Sequence, residues 1–176
     1  GVDFERRNDI FDESLEVLPK FWSGEPVSFI GDGFEAREII CRPASIQQPI
    51  PIWIGGNASL TLRRVAERAQ GWMPLIGPED IFSTVRSPSM TTVDDVIKRL
   101  ETLKQLAGER FASLDIVLPY TDSSIFNTAH DVERHRDTFG RFSELGATWM
   151  VLSGPSGPHP KSADFIGEFG EMYLGS

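Results

Sequence analysis

Residues 49–59 read PIPIWIGGNAS, a short apolar run followed by two glycines and then by polar residues. The apolar part, Ile52 to Ile54, is too short for a buried helix and predicts a strand. The glycine pair predicts a tight turn, and Asn57 and Ser59 are both suitable N-cap residues for a following helix. This stretch therefore predicts a strand that runs directly into a helix.

The same pattern of a short apolar strand and a helical segment occurs four times after Pro51. Strictly alternating strands and helices indicate parallel pairing with right-handed crossovers, so the predicted fold class is α/β. Because the strands are short and continuously apolar, we expect both of their faces to be buried. The predicted strands are Ile52–Ile54, Trp72–Leu75, Leu114–Leu118 and Thr148–Leu152.

Four strand-helix units are too few for a complete barrel. A (β/α)8 TIM barrel needs about 250 residues, whereas a doubly wound sheet usually opens with a strand and a glycine-rich turn. This chain has 176 residues and begins with helical spacing. The simplest interpretation is the C-terminal half of a TIM barrel, with four parallel strands and flanking helices and with the N-terminal half absent.

The first 48 residues have a different pattern. Apolar residues between Phe4 and Trp22 recur at helical spacing, and Pro19 is expected to distort that helix or end it early. Short β-like runs on either side of Gly31–Gly33 then predict a hairpin-like excursion over residues 24–48. We expect it to lie within a single domain of residues 1–176.

Composition excludes several classes of partner. Seventeen Lys and Arg against 26 Asp and Glu give a net charge of −9, which attracts neither nucleic acid nor an anionic membrane surface. Cys41 is the single cysteine, and no apolar stretch approaches the roughly 20 residues that span a bilayer. The chain begins at Gly1 without an initiator Met or an apolar signal segment. We expect a cytoplasmic protein and a chain cut from a longer one.

The glycine turn has two interpretations. Glycines at a strand-to-helix turn let a ligand approach the backbone, and the free N–H groups of a helix start favour an anion such as phosphate. Alternatively, Gly55 and Gly56 serve only to make a tight turn.

Several motifs resemble those of the luciferase-like monooxygenase family, the flavin- and deazaflavin-dependent barrels related to bacterial luciferase. The resemblance covers about Phe4 to Pro74, and beyond it only the strand-helix alternation remains. One departure is Gln70, where the family usually has Asp before Gly-Trp. The matching residues are Arg6–Arg7, Asp12–Glu13, Leu15–Glu16, Trp22, Gly24–Val27, Pro49–Gly56, Arg63–Arg64 and Gly71–Trp72.

The resemblance implies a site at the carboxyl ends of the strands and a cofactor that is either FMN or coenzyme F420. It also implies that the glycine turn after the strand Ile52–Ile54 contacts the phosphate-bearing tail of the cofactor. The candidate cofactor-binding residues are therefore Gly55, Gly56, Asn57, Ala58 and Ser59. No catalytic residue can be assigned. The other loops expected at this end are Leu75–Asp80, Tyr120–Ser124 and Ser153–Gly157.

Other polar residues have simpler explanations. His130 and His135 are five apart and do not share a helical face, so no metal site is predicted. Arg63 and Arg64 are interpreted as a solvated helix face. Trp53 and Trp72 are interpreted as core residues or as part of a barrel layer.

The function predicted is that of a flavin- or F420-dependent oxidoreductase or monooxygenase acting on a small organic substrate. The fragment is expected to contribute the phosphate-binding side of the barrel. Alternatives are a non-catalytic flavin-binding or structural half-barrel, and an unrelated barrel enzyme with a phosphate-binding glycine turn. Open sheet edges predict self-association or pairing with the missing N-terminal half, and the isolated chain is expected to be inactive.

Overall fold

The computed structural model describes residues 3–126, 131–152 and 159–175, excepting the side chains of residues 159–161. The chain divides into two compact units, Gly1–Pro51 and Ile52–Ser176, and each is described by itself. The expectation of one domain over residues 1–176 stays a prediction.

The first unit contains a helix and a hairpin. A 3-10 turn at Phe4–Arg6 leads into helix α1, Arg7–Trp22, and strands β1, Val27–Ile30, and β2, Glu35–Ile39, pair antiparallel. The expected early stop at Pro19 was wrong, because α1 continues to Trp22, and the expected distortion stays a prediction. Pro19 has no backbone N–H to donate, but it lies in the last turn of α1, so few further helical hydrogen bonds are affected.

The second unit alternates strands and helices along the chain. The connection between β4 and β5 contains two helices, α3 and α4, and short 3-10 turns at Gly108–Ser113 and Ser123–Phe126 precede and follow β5. The elements are β3 (Trp53–Gly55), α2 (Ser59–Arg68), β4 (Gly71–Met73), α3 (Glu79–Val85), α4 (Val93–Ala107), β5 (Asp115–Tyr120), α5 (Val132–Glu144), β6 (Trp149–Leu152) and α6 (His159–Phe169).

The four strands of this unit form one parallel sheet in the order β3-β4-β5-β6. The predicted parallel pairing of neighbours in chain order is therefore confirmed. The carboxyl ends of all four strands lie at the same edge of the sheet.

The expectation that all four strands are buried on both faces was wrong. Residues on one face, such as Ile54 and Trp72, are 6% and 0% exposed. Residues on the opposite face are open, with Trp53 40% and Trp149 55% exposed. The interpretation of Trp72 as a core residue fits its burial, whereas Trp53 lies on the open face. Short apolar strands do not reveal by themselves how many layers cover them.

The helices bury one apolar stripe each. Leu62 and Val65 of α2 and Leu103 of α4 are each 0% exposed, and the two helices pack against each other. Arg110 holds the end of α2 by donating hydrogen bonds to the carbonyls of Val65, Ala66 and Ala69. Of the helices in the described part of the chain, none is long and apolar enough to cross a membrane.

Candidate functional site

The glycine turn after β3 is fixed by the neighbouring strand. Gly56 has a φ of +107°, a left-handed conformation that favours glycine. Its N–H donates to the Met73 carbonyl at 3.2 Å, and the indole Nε1 of Trp72 donates to the Gly56 carbonyl at 2.8 Å. The Gly56 N–H is therefore already used and is not a donor for a ligand.

The start of α2 differs from the expectation. Neither Asn57 nor Ser59 is the N-cap; the cap is Ala58, which has extended backbone angles and no side chain that can accept a hydrogen bond. The first turn of α2 thus has no side-chain cap. Its N–H groups, with the positive end of the helix dipole, are suited to an anion.

Asn57 instead links two loops. Its side chain is fully buried, with Oδ1 accepting from the Leu75 N–H at 3.0 Å. Nδ2 donates to the carbonyls of Leu75 at 2.8 Å and Pro88 at 3.0 Å. Asn57 therefore fixes the loop after β4 beside the glycine turn. Leu75 is 18 residues away along the chain, and no local pattern signals that pairing.

A cleft of about 360 Å³ opens at the carboxyl ends of the strands. All four strands contribute to it, either directly or through the residues that follow them. Its walls are formed by Gly55, Gly56, Met73, Pro74, Leu75, Ile76, Pro119 and Val151. Gly55 and Gly56, predicted as cofactor contacts, thus lie in the wall of a cleft, and Asn57 lies buried behind it.

The absence of a side chain at Gly55 has no packing reason. A Cβ atom built there would meet only the Met73 carbonyl oxygen at 3.5 Å, an ordinary contact distance. By contrast, a Cβ at Gly71 would lie 2.4 Å from the Trp53 ring. A side chain at Gly55 would occupy cleft space, so the residue fits a position that a ligand approaches closely.

A second polar cluster lies beyond the end of β5. His135 is fully buried, its Nδ1 hydrogen-bonded to the Tyr120 hydroxyl and its Nε2 3.3 Å from Ser124 Oγ. Ser124 Oγ donates to Asp122 at 2.7 Å, and Arg134 pairs with the same carboxylate. His135 therefore joins α5 to the loop after β5.

Hydrogen bonding and burial in this cluster shift the pKa values of Asp122 and Tyr120. Hydrogen bonds from Ser124 and Arg134 lower the pKa of Asp122 to about 2. Burial raises the pKa of Tyr120 above its usual value. Arg134 is thus held by Asp122 and is engaged within the cluster.

The remaining predicted residues fall in different places. Arg63 is exposed, but Arg64 is only 8% exposed, so the interpretation of both as a solvated face was wrong for Arg64. His130 and the loop Ser153–Gly157 lie outside the described residues. Among the described residues, no group of His, Cys, Asp and Glu is arranged to hold a metal ion.

Comparison with known proteins gives a family match over the first part of the chain. Residues 1–87 match the model of the luciferase-like monooxygenase family. An uncharacterized protein of Mycobacterium tuberculosis is 34% identical over 109 residues, which cover 62% of this chain and 33% of that protein. An F420-dependent glucose-6-phosphate dehydrogenase of Nakamurella multipartita is 29% identical over 108 residues, 60% of this chain and 28% of that protein. The chain thus matches about a third of the length of these relatives.

Solved structures extend the likeness to the whole fold. A coenzyme F420-dependent tetrahydromethanopterin reductase from Methanopyrus kandleri gives a TM-score of 0.65 at 15% identity, over 93% of this chain and 62% of that one. An F420-dependent secondary alcohol dehydrogenase in complex with an F420-acetone adduct gives 0.63 at 15% identity, over 99% and 63%. The α/β fold of this chain, with its four-stranded parallel sheet, is therefore similar to that of these two enzymes. The resemblance inferred from the sequence is confirmed, since residues 1–87 of this chain match the model of the luciferase-like monooxygenase family.

Proposed function

We propose that this chain is the cofactor-binding part of an F420-dependent oxidoreductase. The observation that carries the proposal is the open glycine turn at Gly55, which lies at the carboxyl end of a parallel strand and in the wall of a cleft. Parallel barrels hold their sites at this end. F420 is favoured over FMN because the relatives and neighbours named for a cofactor are F420-dependent.

The residues present fit such a cofactor. The uncapped first turn of α2 suits the phosphate of its tail, and Gly55 leaves room for the tail to pass. Once bound, F420 supplies hydride transfer chemistry. The chain's own contribution is to bind the tail at Asn57 to Ser59 through backbone groups and to keep the loop after β4 in position through Asn57.

We further propose that the four strands are the C-terminal half of a TIM barrel. The sheet ends at β3 and β6, and the face that carries Trp53, Met73 and Trp149 is exposed by 40%, 43% and 55%. Such a face and such edges suit further strands, supplied by four more β/α units or by self-association. An isolated half is expected to lack the contacts that orient the cofactor ring, and so to be inactive.

A fluorescence titration of the purified protein with F420, and separately with FMN, tests the cofactor proposal. We expect saturable binding of F420 in preference to FMN. Gly55→Val should weaken F420 binding at least tenfold, because a branched side chain would enter the cleft. The matched control is Gly140→Val, since a Cβ at Gly140 meets nothing within 4 Å.

Gly24 is unsuitable as a control, although it also lies outside the cleft. Its φ is +75°, and a Cβ would approach that of Ala44 to 2.4 Å, so substitution would disturb the fold. Failure to bind either cofactor, with a folded protein, would favour the alternative of a structural half-barrel. Equal F420 affinities for the two valine variants would show that the glycine turn does not contact the cofactor.

A further inference from the structure

A second pocket, of about 190 Å³, lies between α4, α5 and the carboxyl end of β5. Val96 of α4 and Phe142 of α5, which are 1% and 7% exposed, form part of its apolar wall. Ile76 and Pro119 are the two residues that line both this pocket and the cleft described above. The pocket is therefore a neighbour of the cleft, and neither the glycine turn nor the start of α2 contributes to it.

The threonine hydroxyls in the wall of this pocket have their hydrogens engaged by other groups of the protein. Thr92 Oγ1 donates to the Asp95 carboxylate at 2.8 Å, and Thr138 Oγ1 donates to the Arg134 carbonyl at 2.9 Å. Thr91 Oγ1 lies 3.5 Å from the same Asp95 carboxylate. A hydroxyl has one hydrogen and two lone pairs, so Thr92 and Thr138 can offer a ligand only an acceptor.

The Tyr120 hydroxyl is engaged in the same way through His135. Ser124 Oγ donates its one hydrogen to Asp122, so the contact of 3.3 Å with His135 Nε2 requires Nε2 to be the donor. A neutral imidazole that donates through Nε2 accepts at Nδ1, and Nδ1 is bonded to the Tyr120 hydroxyl, which therefore donates. Tyr120, which lines the pocket, also has only lone pairs left on its oxygen.

Negative charge accompanies these acceptors. Asp122 is part of the pocket wall, and its lowered pKa, about 2, keeps the carboxyl ionised at neutral pH. Arg134 offsets some of that charge from outside the wall. Asp94 and Asp95 lie in the first turn of α4, and their two charges exceed the roughly half a positive charge of the helix dipole there. Among the described residues that line the pocket there is no Lys or Arg.

We infer that this pocket binds a small organic ammonium ion, with its N–H groups on the acceptor oxygens and its alkyl part against Val96 and Phe142. An ammonium group has donors and no acceptor, so it complements a wall whose bonded hydroxyls and carboxylate can only accept. A cavity of roughly 150 Å³ holds benzene, so a pocket of about 190 Å³ suits an alkylamine of about six heavy atoms. The inference does not rest on the proposed function.

NMR of the methyl-labelled full chain with n-pentylamine tests the inference. This amine is protonated at pH 7, as the Lys side chain is. We expect saturable shifts of the Val93 and Val96 methyl signals. 1-Pentanol has the same alkyl chain without the charge and should bind about tenfold more weakly. Pentanoate, which brings an anion and no donor, should cause no saturable shift of these signals.

Two substitutions in the wall should weaken the binding of pentylamine. Asp122→Asn removes the charge at nearly constant shape, and an effect of about tenfold is expected. Its matched control is Asp137→Asn, because Asp137 is exposed on α5 and does not line the pocket; the affinity should change by less than about twofold. Thr138→Val removes one acceptor and leaves the pairing of Asp122 with Arg134 in place, so an effect of about threefold is expected.

The inference is overturned if pentylamine gives no saturable shift of the Val93 and Val96 methyls, or if 1-pentanol or pentanoate binds there as tightly. Unchanged pentylamine affinity in both Asp122→Asn and Thr138→Val would also overturn it, because the bound group would then not use the acceptors of the wall. Failure of the F420 titration would remove the proposed function and leave the ammonium site standing.

Discussion

The two ends of the four-stranded sheet are built in opposite ways. At the amino end, the indoles of Trp53 and Trp149 both donate to the Asp115 carboxylate at 3.1 Å, with ring centroids 5.9 Å apart. At the carboxyl end, the same face carries Gly55 and an open apolar cleft. Hydrogen bonds join the side chains at the amino end, whereas a cleft lies at the carboxyl end.

The difference between the two ends is already present within strand β3. Trp53 and Gly55 both lie on the exposed face of β3, with Ile54 buried between them. Gly71 on the next strand allows Trp53 to reach across it to Asp115, since any Cβ there would collide with the ring. In parallel barrels the amino end generally serves stability and the carboxyl end serves chemistry. Substitutions at the two ends should therefore have separable effects.

Gly71→Ala should have the largest effect on stability. The added Cβ would lie 2.4 Å from the Trp53 ring and 2.9 Å from the Asp115 Cβ, so the amino-end cluster must move. Overpacking of this kind costs about 3 kcal/mol. Urea unfolding measures it, with Gly140→Ala as the control, which should be neutral or stabilising because that helical site is open. An unchanged midpoint for Gly71→Ala would show that the cluster is loosely held.

Asn57→Ala should be the most destabilising change at the carboxyl end. It leaves the Leu75 N–H and the Leu75 and Pro88 carbonyls without their partner in a buried site. We expect a loss of about 2 kcal/mol in unfolding free energy together with weaker F420 binding. Gln105→Ala removes an exposed amide from α4 and should do neither. Normal stability in Asn57→Ala would contradict the role given to this side chain.

Asp115→Asn should have a smaller effect. The carboxylate accepts from both indoles, whereas an amide offers one oxygen and presents an NH2 group to the second indole N–H. A loss of about 1 kcal/mol is expected, with F420 affinity unchanged because the cluster is at the amino end. Tryptophan fluorescence should shift as well. If the loss of F420 binding free energy exceeded the loss of unfolding free energy, the two ends would not have separable effects.

The smallest expected effect is a pH dependence of the unfolding free energy that comes from Asp122. Its pKa is about 2 in the folded protein, below the ordinary 3.8, so the hydrogen bonds from Ser124 and Arg134 stabilise the fold above pH 4. That contribution should be lost as the pH falls from about 4 to about 2. Because 34% of the Asp122 side chain is exposed, screening limits it to about 1 kcal/mol or less. The difference in unfolding free energy between Asp122→Asn and the natural protein should therefore shrink from pH 7 to below pH 2, and a constant difference would contradict this.

The strand-helix alternation was sufficient to predict the parallel sheet, because each strand carries a local apolar signal. Helix α3 was missed and its beginning assigned to a loop, since Phe82 is its one buried residue and seven residues show little periodicity. The open face was also missed. Burial of a strand depends on what lies across the sheet, which the sequence of the strand does not contain.

The candidate site was predictable in position but not in its contacts. The glycine pair after a strand located the turn, and the family resemblance implies that it contacts a cofactor. The use of the Gly56 N–H by Met73 and the link from Asn57 to Leu75 both depend on pairing of β3 with β4. Asn57 was predicted to be a helix cap because asparagine is common at N-cap positions. In the folded protein its side-chain amide binds the loop after β4 instead.

The most direct test of the contrast between the two ends is a titration of 15N-labelled protein with F420, followed by two-dimensional NMR. The account predicts saturable shifts of the backbone amides from Asn57 to Leu60, at the start of α2. The indole N–H signals of Trp53 and Trp149, at the amino end, should stay in place. Shifts of the two indoles without shifts at the start of α2 would contradict the assignment of the ligand to the carboxyl end.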